Sequence, residues 1–104
     1  MLPKRRRLSA EEVRNIIAGG RSARVSLLSV KYVANTKPLR AAAVVSKKIS
    51  KKAVIRNRLR RAIYRALSSL EAHGDIVIFV QKVPEGALTP AFSAELVVLL
   101  SKLS

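Results

Sequence analysis

The chain has 104 residues, with 21 Lys and Arg against 6 Asp and Glu, one His and no Cys, for a formal net charge of +15. That length holds a single domain, 1–104, with a modest core, and the lack of Cys excludes disulfides, thiolate zinc sites and a thiol nucleophile. The charge points to a polyanionic partner; membrane binding is not expected, because no apolar run nears the roughly 20 residues of a span.

Residues 1–8 read as a basic arm, Pro3 followed by Lys4, Arg5, Arg6 and Arg7, too charged to pack and mobile until it meets phosphate. No secretory pattern follows Met1, and a reducing, cytoplasmic setting is expected. Ser9 and Glu12 have capping-box spacing and predict a first helix with Val13, Ile16 and Ile17 on its apolar side, ended by Gly19-Gly20. Residues 24–33 then alternate as strand, with Leu28, Val30 and Tyr32 on one face and Val25, Leu27 and Val33 on the other. A bend or bulge divides this stretch into two strands, and its position decides whether Tyr32 points outward. Ala34-Asn35-Thr36-Lys37-Pro38 reads as a turn, and residues 40–45 as a short alanine-rich strand.

The strongest signal comes next. Residues 47–65 carry nine basic side chains and no acidic one: Lys47, Lys48, Lys51, Lys52, Arg56, Arg58, Arg60, Arg61 and Arg65. Leu59, Ile63, Ala66, Leu67 and Leu70 recur at helical spacing, predicting a second helix from about Lys51 to Ala72 with His73-Gly74 as its stop. On its other side the same geometry places Asn57, Arg58, Arg61, Tyr64, Arg65 and Ser68. Guanidinium groups take phosphate oxygens two at a time and stack on bases. The preceding loop, with Ser46, Ser50 and four Lys, adds hydroxyls, free amides and charge near a helix N-terminus. A solvated surface helix would interleave both signs of charge; this one does not, so the face reads as a docking surface for RNA or DNA.

Residues 75–80, Asp-Ile-Val-Ile-Phe-Val, form the clearest strand, a continuous apolar run suited to a central position. After a loop broken by Pro84 and Gly86, Thr89 as N-cap and Pro90 at the first helical position open a last helix with Phe92, Leu96, Leu99, Leu100 and Leu103 as its core stripe. The order helix, strands, helix, strand, helix predicts an α+β sandwich. All six carboxylates, Glu11, Glu12, Glu71, Asp75, Glu85 and Glu95, lie outside residues 13–70, so the basic region offers no cluster of the kind a two-metal nuclease needs. His73, beside Gly74, reads as a helix-end residue.

The string S-K-K-x4-A-V-x-R-N-R-x-R-R, from Ser46 to Arg61, resembles the signature of the bacterial ribonuclease P protein subunit. Leu-Pro-Lys at 2–4 with Arg7-Leu8, the Arg21-Ser22 pair after Gly20, and the strand at 75–80 agree with it in order. The resemblance implies a four-stranded mixed sheet covered by helices, in the order α-β-β-β-α-β-α with a left-handed βαβ crossover. It also implies a subunit of the ribonucleoprotein that removes the 5′ leader of precursor tRNA, in which a catalytic RNA holds Mg²⁺ and the protein alone binds none.

By the same resemblance, Lys47, Lys48, Lys51, Lys52, Arg56, Asn57, Arg58, Arg60, Arg61 and Arg65 would hold the RNA subunit. The leader would lie between the first helix and one sheet face, against Val13, Ile17, Arg24, Lys31, Tyr32 and Arg40. The family often has aromatics on that helix where this chain has Val13 and Ile17, and a basic residue where it has Gln81. The expected partners are ribonuclease P RNA and precursor tRNA, with no protein partner required. The alternatives are a ribosomal or other structural RNA-binding protein, a DNA-binding module with the arginine helix in the major groove, and a free-standing nuclease.

Overall fold

Three helices and four strands follow one another in the expected order in a computed structural model that describes residues 7–103: α1 (Ala10–Gly19), β1 (Arg21–Arg24), β2 (Leu28–Pro38), β3 (Arg40–Val44), α2 (Ala53–Ser68), β4 (His73–Val80) and α3 (Leu88–Leu103). The arm residues Met1 to Arg6 and the side chain of Leu103 lie outside what is described. The strands form one mixed sheet in the order β1-β2-β4-β3, with β1 and β4 antiparallel to β2 and β3 parallel to β4. β3, α2 and β4 thus make a βαβ unit between neighbouring strands, and β4 is central, as its unbroken apolar run requires.

Strand alternation sorts the side chains into two layers. On one face Leu28 and Val30 of β2, Ala41 and Ala43 of β3, and Ile76, Ile78 and Val80 of β4 join Leu59, Ile63 and Leu67 of α2 and Phe92, Leu96 and Leu99 of α3 in a single buried core. The alternate residues Asp75, Val77 and Phe79 pair across the strands with Val33, Lys31 and Ser29 and with Arg40, Ala42 and Val44, and so share the opposite face. α1 packs on part of that face, against β2 and β4, and buries Ile16. The capping box forms as its spacing predicts: Ser9 Oγ accepts the Glu12 amide at 3.2 Å and Glu12 Oε1 accepts the Ser9 amide at 3.0 Å.

Several boundaries differ from those read in the sequence. α2 begins at Ala53 and ends at Ser68, four residues short of Ala72, because Ser68 and Ser69 turn their hydroxyls back to the carbonyls of Arg65 and Ala66 at 2.7 and 3.0 Å. His73 and Gly74 are therefore the first residues of β4 and not the stop of the helix. Gly74 has φ 109°, and a Cβ there would lie 2.7 Å from the Tyr32 ring, so the tight entry into β4 admits glycine alone. The expected turn at residues 34–38 is a bulge inside β2: Asn35 Oδ1 accepts the Lys37 amide at 2.9 Å, and the strand resumes with Pro38 opposite His73. The reversal falls at buried Leu39, whose amide donates to Ala72 O at 3.1 Å. α3 starts at Leu88, one residue before the expected cap, so Pro90 is its third residue and not its first; it still lies in the first turn, where its missing N–H has no partner to lose.

Candidate nucleic-acid interface

Loop 45–52 leaves the end of β3 and places its basic residues at the mouth of α2. Ser46 O accepts the amides of Ile49 and Ser50 at 3.1 and 3.4 Å, folding the loop into a turn from which Lys47, Lys48, Lys51 and Lys52 project into solvent. Arg56 is the exception within the basic set. Its guanidinium donates to Ser50 O at 2.9 Å in a part-buried contact, so it fastens the loop to the helix. No side chain caps the N-terminus of α2 and no acidic residue occupies its first turn, so the positive end of the helix dipole adds to the charge of the preceding lysines. Along the helix Asn57, Arg58, Arg61 and Arg65 are exposed, and Arg60 is half-buried with a hydrogen bond to Asn57 Oδ1.

Tyr64, read in the sequence as part of the exposed arginine face, is only 9% exposed. Its phenol reaches the outer edge of the sheet and accepts the Ala43 amide at 3.1 Å. The reason is geometric: β3 is an edge strand, and its outward N–H needs an acceptor, which α2 brings. The Arg7 guanidinium stands 5.6 Å from the centre of the Tyr64 ring. Arg7, Asn57, Arg60, Arg61 and Tyr64 together line a depression of about 350 Å³ on the same surface. Arg7, from the end of the basic arm, is thus brought into the α2 surface that the sequence reading assembled without it.

The six residues expected at the leader do not come together as one group. Arg24 and Lys31 do, on the sheet face bearing α1, where they line a second depression of about 350 Å³ with Ser22, Ser29 and Phe79. Val13 and Ile17 of α1 are half-buried and exposed respectively and do not line it. Tyr32 lies on the other face: it packs against the main core and donates its hydroxyl to His73 O at 2.8 Å. The bend between β1 and β2 falls at residues 25–27, which keeps Tyr32 in phase with Leu28 and Val30 and turns it away from Lys31.

Arg40 is on the expected face but is engaged within the protein. It makes a two-pronged pair with Asp75, at 3.1 and 2.9 Å, and a further pair with Glu12 of α1 at 2.6 Å. Asp75 raises the Arg40 pKa further above its ordinary value, chiefly through that hydrogen bond. The Ser9 amide above all holds the Glu12 carboxyl below its ordinary value; burial opposes it, and the Ser9 hydroxyl and then Arg40 add to the lowering. This triad ties α1 to β3 and β4.

The family model for Ribonuclease P matches residues 2–104. The chain belongs to the Ribonuclease P family. Solved structures of Ribonuclease P proteins share its fold. One from Staphylococcus aureus superposes with a TM-score of 0.78 at 23% identity over 95% of each chain. The Thermotoga maritima protein gives 0.75 at 22% identity, over 89% of this chain and 94% of that one. A second S. aureus structure gives 0.70 at 25% identity, over 98% and 92%. No curated protein matches the sequence.

Two aromatic positions differ from what the sequence suggests. Phe79 was absorbed into the apolar run of β4, although its parity with Asp75 and Val77 places it on the face away from the main core. Tyr64 lies near the border of the α2 stripe, where helical angle alone does not separate a core ring from a surface one.

Proposed function

We propose that this chain is the protein subunit of ribonuclease P, which binds the catalytic RNA through loop 45–52 and the exposed side of α2 and presents the Arg24 and Lys31 face to the 5′ leader of precursor tRNA. The observation that carries the reading is the continuous basic surface from Lys47 to Arg65, ordered by Arg56 and Tyr64 and joined by Arg7, within a fold of this family. Lys47, Lys48, Lys51, Lys52, Asn57, Arg58, Arg60, Arg61 and Arg65 contact the RNA in this reading, and Arg56 shapes the loop that does so. The carboxylates support a non-catalytic role: Glu12 and Asp75 are committed to Arg40, and Glu95 accepts the Leu27 amide at 2.5 Å. The hydrolysis and its Mg²⁺ belong to the RNA, the complex works where precursor tRNA is made, in the cytoplasm, and no second protein is needed.

Reconstitution tests this. A ribonuclease P RNA at low Mg²⁺ and low salt is expected to cleave precursor tRNA at the leader junction only when the chain is added, and the RNA-free protein with Mg²⁺ is expected to be inert. Binding to that RNA without any gain in cleavage would instead favour a structural RNA-binding protein.

A further inference from the structure

We infer that Phe79 is the stacking platform of a single-nucleotide subsite on the open sheet face, where one unpaired base of the leader lies on the ring while Arg24 and Lys31 take the adjoining phosphates. The inference rests on the leader-binding reading above and adds to it the residue that would hold a base. The chain has four aromatic side chains. Tyr64 and Phe92 are buried, and Tyr32 packs on the core side with its hydroxyl tied to His73 O. Phe79 alone stands on the α1 face, half-buried, at the depression it shares with Ser22, Arg24, Ser29 and Lys31.

The surroundings suit a nucleotide in three respects. No carboxylate lines the depression, and two cations do. The acidic end of this face lies elsewhere: Asp75 and Glu12, with Arg40 between them, sit four residues along β4 from Phe79, about 13 Å at 3.3 Å per residue. Phosphates are therefore drawn to the Arg24 and Lys31 end. Third, Gln81 Nε2 donates to Ser29 Oγ at 3.0 Å at the end of the same strand pair, leaving the Ser29 O–H and the Gln81 carbonyl to meet a base edge. Stacking accepts any base, and this hydroxyl–amide pair is the part able to prefer one.

The test uses the assembled complex and precursor tRNAs carrying 2-aminopurine, or an abasic residue, at single leader positions. Wild-type protein is expected to quench 2-aminopurine at one position. Phe79→Leu is expected to abolish that quenching and weaken precursor binding roughly ten-fold, the scale of one lost base–aromatic stack, with mature tRNA binding unchanged. Phe79→Tyr should behave as wild type, and an abasic residue at the quenched position should cost the wild type as much as Phe79→Leu does, with no further loss when the two are combined. Undiminished quenching and affinity in Phe79→Leu, while Arg24→Ala and Lys31→Ala weaken precursor binding, would overturn the subsite and leave the leader reading standing. Unchanged precursor preference in all three variants would overturn both. Should Phe79→Leu fail to fold, the abasic series and Phe79→Tyr still decide: no position at which removing the base costs affinity means no subsite.

Discussion

The hydroxyl of Tyr64 accepts the amide N–H of Ala43 at 3.1 Å, so a side chain of α2 completes the outer edge of β3. Nearby, the Leu8 amide donates to Ala41 O at 3.0 Å. The exposed strand edge, a template for unwanted pairing in other proteins, is closed here by the elements that build the basic surface.

Tyr64→Phe keeps the ring and removes the acceptor from a buried amide. The expected loss of stability is about 1–3 kcal/mol, measured by urea unfolding. Arg61→Ala and Arg65→Ala, both exposed, should stay within about 0.5 kcal/mol of wild type in the same measurement. Each should nonetheless weaken ribonuclease P RNA binding by roughly 1–2 kcal/mol. Equal effects of all three on stability would contradict the assigned directions of these side chains.

Binding to the RNA should depend steeply on salt. With about five to eight phosphate contacts, counterion release gives a log–log slope on the order of −4 to −7. Filter-binding titrations between low and moderate KCl read this directly, and a slope near −1 would remove phosphate contact as the basis of the surface.

Gly74→Ala should be among the most destabilising single-methyl changes available. The residue sits at φ 109°, and the added carbon would lie 2.7 Å from Cε1 of Tyr32, 2.8 Å from its hydroxyl oxygen and 2.8 Å from Val33 O. Backbone strain and overpacking together predict a loss of roughly 2–4 kcal/mol. Gly19→Ala, where a Cβ meets nothing within 4 Å, is the control and should be near neutral.

Glu12, held by the Ser9 amide first and by Arg40 after it, predicts a pH dependence. Glu12 has a folded-state pKa below its ordinary value of 4.5, so its ionised form is favoured by folding. The stability it contributes is complete above that ordinary value and is lost as pH falls through the lower folded value. Wild type should therefore exceed Glu12→Gln in stability by a constant amount at neutral pH, and the two should converge in acid below 4.5. A difference that grew as the pH fell would contradict the favoured ionised form of Glu12.

The two layers of this protein were unequally legible in its sequence. Helical spacing of Leu59, Ile63 and Leu67 and the unbroken run at 76–80 determined the core partners of α2 and the central place of β4, because burying apolar area is a strong and periodic demand. The basic surface was equally plain, since charge of one sign without offsetting carboxylates has few structural uses. Tertiary structure alone decided where individual polar and aromatic groups point. Arg40 looked free until β3 and β4 paired in register and put Asp75 beside it, with Glu12 above. Tyr32 faces the main core and Phe79 the opposite side because a strand's two faces differ by a single residue, and only the bend at residues 25–27 and the antiparallel register fix which parity meets the core. Tyr64 turned inward to satisfy an edge amide 21 residues earlier in the chain, a demand that exists only once β3 has become an edge.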